Sequence, residues 1–72
     1  MQAKYEYLTK KEVIDNIVLF KNQLKIELGL KTVFVPEFDY PLKNKQTIIS
    51  LIGHSFTIEN VGRCRYNLTI KN

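Results

Sequence analysis

Residues 33–56 read VFVPEFDYPLKNKQTIISLIGHSF, and the parsing of this stretch decides the fold. It opens on Val33-Phe34-Val35, a β-branched and aromatic run that Pro36 stops. A polar loop follows, and Asp39-Tyr40-Pro41 then stands before a helical pattern. Asp39 fits an N-cap, and Pro41 fits the first helical turn, where a missing N–H costs nothing. Apolar residues recur at Leu42, Ile48, Ile49 and Ile52, which predicts a second helix. Gly53 suits the left-handed residue that ends it, and Phe56 starts a strand. The stretch reads strand, loop, helix, strand, with its exposed polar groups between Pro36 and Lys45.

Upstream, residues 1–8 alternate Tyr5 and Tyr7 around Glu6 and read as a frayed arm or a short strand. Thr9-Lys10-Lys11-Glu12 is a capping box, with Leu8 and Val13 placed to form its hydrophobic staple. A helix from Lys10 to about Asn22 follows, with Val13, Ile14, Ile17, Phe20 and Leu24 on one face. Residues 23–31 suit helix or strand; Gly29 favours a helix running to about Leu28 and ending there. The first strand is then Thr32 to Val35. Downstream, Phe56 and Ile58 alternate with Thr57 and Glu59, and Asn60-Val61-Gly62 is a turn signal. Cys64, Tyr66, Leu68 and Ile70 then fall on one face, and Arg63, Arg65, Asn67, Thr69 and Lys71 on the other. These two runs form an antiparallel hairpin. The expectation is a single small α+β domain over residues 1–72, an arm at 1–8 and a core at 9–72. Its order is α-β-α-β-β, with helices packed on a small sheet that ends in the hairpin.

A chain of 72 residues buries only roughly 60% of its unfolded surface. Cys64 is the single cysteine, so no disulfide framework supports it. One Cys and one His do not make a structural zinc site. No apolar run approaches a membrane span, and residues 1–12 lack the apolar core of a secretory signal. Eleven Lys and Arg against seven Asp and Glu give a net charge of +4, which favours an anionic partner.

Enzymatic chemistry has little support. His54 lies beside Ser50 and Ser55 in sequence, but no nucleophile has a base at motif spacing. Cys64 falls on the apolar face and reads as a buried thiol. Glu37 and Asp39 read as loop carboxylates that cap and solubilise. The three glycines match no phosphate-binding loop. No cofactor, metal or catalytic residue is expected. The basic groups carry more. Lys21 and Asn22 lie near the expected end of the first helix, and Lys43 and Lys45 enter the second. A phosphate there meets free helix N–H groups. Arg63, Arg65 and Lys71 form a second basic group, and Tyr5, Tyr7 and Tyr40 are candidates to stack on bases.

The motifs Asp15-x-Ile17-x-x-Phe20-Lys21-Asn22, Val33-x-Val35-Pro36, Leu42-Lys43, Gly53-x-x-Phe56 and Tyr66-x-Leu68-x-Ile70 occur in that order. Together they resemble the N-terminal half of the universal small-subunit ribosomal protein eight family, over about Asp15 to Lys71. The resemblance implies a structural component of a small ribosomal subunit. Lys21, Asn22, Lys43 and Lys45 would then contact ribosomal RNA phosphates and sugars, which position a protein without reading sequence. It also implies neighbouring small-subunit proteins as partners and no membrane. The family's early Asp-Pro is replaced by Lys11-Glu12, two loops are longer, and the second half, which makes the principal RNA grip, is not matched. A reduced or split version is implied; in the split case a second chain supplies the missing half, and the sequence leaves the two open. Abundant Lys, Asn and Ile, all encoded by A- and T-rich codons, suit a mitochondrial ribosome in the matrix; a cytoplasmic location is the alternative. The competing reading is a small phage- or plasmid-type regulatory protein that binds DNA or a host protein. A third is an interaction subunit of a large complex with no nucleic-acid contact.

The alternation over residues 64–71 makes the first prediction. Leu68→Ala lowers stability by roughly 2–5 kcal/mol in a urea titration, whereas Thr69→Ala leaves it nearly unchanged. Equal losses would show the strand shifted by one residue.

Overall fold

The capping box forms as its spacing requires. The Thr9 hydroxyl accepts the Glu12 N–H at 3.2 Å, and the Glu12 carboxylate accepts the Thr9 N–H at 2.9 Å. The helix so started, α1, runs over Lys10–Leu28 and ends on Gly29 at φ 66°, the left-handed value a glycine takes without strain. Val13, Ile17 and Leu24 are buried, Phe20 is partly so, and Ile14 lies at the rim. Leu8 packs against the same cluster as Val13, as a staple residue should.

The computed structural model describes residues 2–72, and around α1 it places four strands: β1 (Gln2–Leu8), β2 (Gln46–Leu51), β3 (His54–Gly62) and β4 (Arg65–Lys71). All pair antiparallel in the order β1-β4-β3-β2. The class is α+β as expected, but the element order is β-α-β-β-β. Of the two readings of residues 1–8, the strand holds over Gln2–Leu8, which pairs along β4 with Ala3 opposite Ile70.

The second helix is not formed; residues 46–51 are strand β2 instead. Thr47, Ile48 and Ile49 are β-branched, stiff at χ1, and suit a pleated surface better than a helix. As a strand the segment buries Ile49 and Leu51 on one face and exposes Ile48 and Ser50 on the other. A helix would also have gathered Leu42, Ile48, Ile49 and Ile52 on one face, so spacing does not separate the two; the β-branched run does. Asp39 accordingly caps nothing; its carbonyl accepts the Thr47 hydroxyl at 3.4 Å. Residues 32–35 form no strand either. They run as irregular loop, yet Val33 is buried and Val35 packs at the core edge. The apolar content was real, but it fills the core without a ladder partner.

The last hairpin turns later than expected. β3 continues through Asn60-Val61-Gly62, with a register shift between Asn60 and Gly62, and the turn falls on Arg63-Cys64, at φ 56° and 58°. Two consecutive left-handed residues make the type I′ geometry whose twist matches antiparallel strands. Cys64 is therefore exposed at the turn, not a buried thiol. Tyr66, Leu68 and Ile70 point inward as the alternation required. The core is one cluster: Phe56, Ile58, Leu68, Ile17 and Val13 are nearly inaccessible, and Ile49, Leu51, Tyr66 and Ile70 surround them.

Bonds to the Thr9 backbone and hydroxyl, against slight desolvation, hold the Glu12 carboxyl below its ordinary value. The stability this contributes is present at neutral pH and is lost as pH falls through the depressed folded-state pKa. Thr9→Ala lowers unfolding free energy by about 1 kcal/mol. Glu12→Gln flattens the loss of stability on acidification below the ordinary carboxylate range. Urea titrations at neutral and acid pH measure both, and unchanged curves would remove the cap from the stability of α1.

Candidate nucleic-acid interface

Asn60 organises one end of the molecule. Its N–H donates to the Lys45 carbonyl at 3.0 Å, and its carbonyl accepts the Asn44 N–H at 3.1 Å. Its side-chain amide donates to the Pro41 carbonyl at 2.9 Å, while Oδ1 accepts the Gly62 N–H at 2.8 Å. One half-buried residue thus ties the loop entering β2 to the end of β3. Between the anchors, Lys45 N–H donates to the Leu42 carbonyl at 2.8 Å across a turn in which Asn44 takes φ 65°. Asparagine tolerates that conformation.

The turn holds Lys43 against β3. Lys43 Cε lies 3.6 Å from the place a Cβ on Gly62 would occupy, so the lysine stem lies over bare backbone at φ 90°. The next residues are Arg63, exposed at the turn, and Arg65. The Arg65 guanidinium sits 5.3 Å from the centroid of the Tyr7 ring, a cation–π contact that orients it. Lys10 sits 5.2 Å from the Tyr40 centroid, and Tyr40 packs on Tyr66 at 5.1 Å and donates its hydroxyl to the Lys10 carbonyl at 3.0 Å. Burial, and secondarily Tyr66, raises the Tyr40 phenol above its ordinary value. These contacts run from Lys10 through Tyr40, Tyr66 and Asn60 to Gly62 and Lys43. They gather Lys10, Lys43, Lys45, Arg63 and Arg65 at one end. Among the described residues the one ion pair is Lys4 with Glu6 at 3.5 Å, so none of these cations is tied to a carboxylate. Glu12, near Arg65, and Asp39 and Glu59, beside Tyr40 and Asn60, moderate the charge without cancelling it.

The four sequence-derived positions separate. Lys43 and Lys45 are exposed at this end. Lys21 and Asn22 are not at a helix end but inside the 19-residue α1, Lys21 half-buried and Asn22 exposed. Their neighbour Phe20 packs on His54 and Phe56, at the start of β3. Gly62, beside Lys43, is at the other end of that nine-residue strand, about 25 Å away at strand rise. Lys71 is likewise distant from Arg63 and Arg65, because it ends β4, opposite Gln2 and Ser55. Tyr5 and Tyr7 are exposed; Tyr40 is committed to packing. The sequence reading missed Lys10 and the role of Asn60. A usable signal was Asn60-x-Gly62 followed by two arginines around a turn, a bulge that lets another chain segment approach closely.

Among the described residues no group of His, Cys, Asp and Glu is placed to hold a metal ion, and no helix is long and apolar enough to cross a membrane. Comparison with protein-family models, with curated proteins and with solved structures gave no match.

Asn60→Ala removes two side-chain hydrogen bonds at a half-buried position. It lowers stability by about 1–3 kcal/mol and speeds hydrogen exchange at the Gly62 amide before global unfolding. Exchange there no faster than in the parent chain would show that the turn at 42–45 is held by other contacts.

Proposed function

We propose that this domain is a non-catalytic component of a ribonucleoprotein that contacts phosphates of structured RNA through its basic end. The observation that carries this reading is Lys43 held over Gly62 beside Arg63 and Arg65, none of them ion-paired among the described residues. Cations fixed by backbone turns and ring contacts lose little freedom when a phosphate arrives, and they position an RNA without reading its bases. The net charge of +4 acts in the same direction. The exposed Tyr7 ring is already covered on one face by Arg65, so stacking on a base is secondary to phosphate contact.

Within this reading, the small ribosomal subunit, with ribosomal RNA and neighbouring proteins as partners and the mitochondrial matrix as location, is the assembly the short motifs suggest. That assignment rests on those motifs and the composition, since the α-β-α-β-β order that accompanied them is replaced by β-α-β-β-β. Lys43 and Lys45 keep an RNA-facing role here, joined by Arg63, Arg65 and Lys10. Lys21 and Asn22 contribute a separate, weaker contact on the exposed side of α1.

Binding of a structured RNA hairpin, followed by fluorescence anisotropy, weakens with salt at a logarithmic slope of about −2 to −3, from two or three phosphate contacts. Lys43→Ala with Arg63→Ala reduces that slope by up to about 2 and leaves the circular dichroism spectrum unchanged, while Lys21→Ala changes it little. Affinity indifferent to salt and to these changes would remove the RNA-facing assignment. Co-sedimentation with small ribosomal subunits separates the ribosomal reading from a free regulatory protein.

A further inference from the structure

Strand β2 lies at an edge of the sheet and pairs only with β3. Its hairpin determines which backbone groups are free. Ile52 and Gly53 form a two-residue turn, both at positive φ, so Leu51 and His54 are the hydrogen-bonded pair that closes it. At alternate positions, Ile49, Thr47 and Lys45 also turn their N–H and C=O groups toward β3; the bond from Asn60 N–H to the Lys45 carbonyl has this sense. Gln46, Ile48 and Ser50 therefore turn theirs outward. Among the described residues, no loop backbone group bonds them. The loop reaches β2 through the Thr47 hydroxyl, on the helix-facing side.

The two edges of the sheet differ. β1 has a register shift between Tyr5 and Leu8, a left-handed Tyr7, and the charged pair Lys4 and Glu6. Each of these blunts an edge against further pairing. β2 keeps an unbroken register with β3 and reads QTIISL, with no charge, no proline and no glycine. Ile48 is 61% exposed on it.

We propose that β2 pairs antiparallel with β2 of a second copy of this chain, about a two-fold axis at Ile48. The two sheets then continue as one across the dimer. The register follows from the free groups. A hydrogen-bonded pair in an antiparallel ladder joins two residues that both face the gap. Centring on Ile48 sets Ile48 opposite Ile48, Gln46 opposite Ser50 and Thr47 opposite Ile49, and satisfies every outward residue of both copies. Setting Ile48 opposite Ile49 would pair an outward residue with an inward one and make no bond. Centring on Thr47 or Ile49 would leave Ser50 or Gln46 unpaired.

The occupant is a second copy because the segment is complementary to itself. The exposed Ile48 meets its own equivalent, and the two polar outward side chains, Gln46 and Ser50, face each other. Two chains of net charge +4 meet here at an uncharged segment. In this register Lys45 stands opposite Leu51, which holds the lysines of the two copies about 20 Å apart along the strands, beyond the Debye length of about 8 Å at physiological salt. The lysines that flank the two strands therefore oppose the contact little.

Sedimentation velocity from micromolar to millimolar concentration tests this. A reversible dimer and nothing larger is expected, and Ile48→Lys abolishes it without changing the circular dichroism spectrum. A hydrogen-bonded antiparallel pair places its Cα atoms about 5.5 Å apart, within disulfide reach. In a Cys64→Ser background, Ile48→Cys therefore cross-links to dimer on oxidation. Thr47→Cys does not, because its equivalent lies about 8 Å away, past the limit of about 7 Å. A chain that stays monomeric throughout overturns the proposal and leaves the edge to a strand of another protein. A dimer indifferent to Ile48→Lys, a cross-link at position 47 but not 48, or growth beyond the dimer also overturns it.

Discussion

The structure depends on covering one face of a four-stranded sheet with one helix. A helix is about 10 Å across, whereas four strands spaced about 4.8 Å apart present a wider face. α1 therefore covers only part of it, with Val13, Ile17 and Leu24. The remainder is covered by the irregular segment after Gly29, which contributes Val33 to the buried cluster and Val35, Phe38 and Tyr40 to its margin. An irregular cover has no ladder to hold it. Its attachment comes from single contacts instead: Tyr40 to the Lys10 carbonyl, Thr47 to Asp39, and Asn60 to Pro41. The constraint on the core is thus the reason that a half-buried asparagine sits at the end of β3.

The same arrangement sets the electrostatics. Because the covering loop must return to the sheet at Asn60, it brings Lys43 and Lys45 to the turn that carries Arg63 and Arg65. The aromatic rings that complete the core margin also orient cations, Tyr40 under Lys10 and Tyr7 under Arg65. Charge at this end is a by-product of how the apolar face is closed, which explains why it is assembled from three separate segments of the chain.

Local signals were read correctly where one physical requirement acted alone. The capping box and Gly29 delimit α1 because orphan N–H and C=O groups must be satisfied whatever the tertiary context. Tyr66, Leu68 and Ile70 alternate because β4 has core on one side only. Residues 46–51 fit two readings because isoleucines at 48, 49 and 52 satisfy a helical period while Ile49 and Leu51 satisfy a strand period over so short a run. Their β-branching, and a left-handed Asn44 just before them, decide for the strand. Cys64 was misplaced because alternation was extended across a turn, where it has no meaning. In the candidate site, Lys43 and Lys45 were legible as exposed cations. Their meeting with Arg63 and Arg65 was not, since it is set by long-range bonds of Asn60. Lys21 and Asn22 do not join them: the helix runs to Leu28, as Gly29 indicates, and so leaves both inside it rather than at its end.

The place of β4 in the sheet bears on how the chain folds. It lies between β3 and β1, yet it follows every element it joins, and its far end sets Lys71 opposite Gln2. Until residues 65–71 are in place β1 has no strand partner, and α1 has no Tyr66, Leu68 or Ile70 beneath it. The β2–β3 and β3–β4 hairpins are both local, each closed by a two-residue turn, whereas β1 meets β4 only across the length of the chain. The β1–β4 pairing is the non-local one, in which distant segments are joined before much is gained in return. A nascent chain would therefore stay largely open while its first two elements emerge, and acquire its structure in one late, cooperative step.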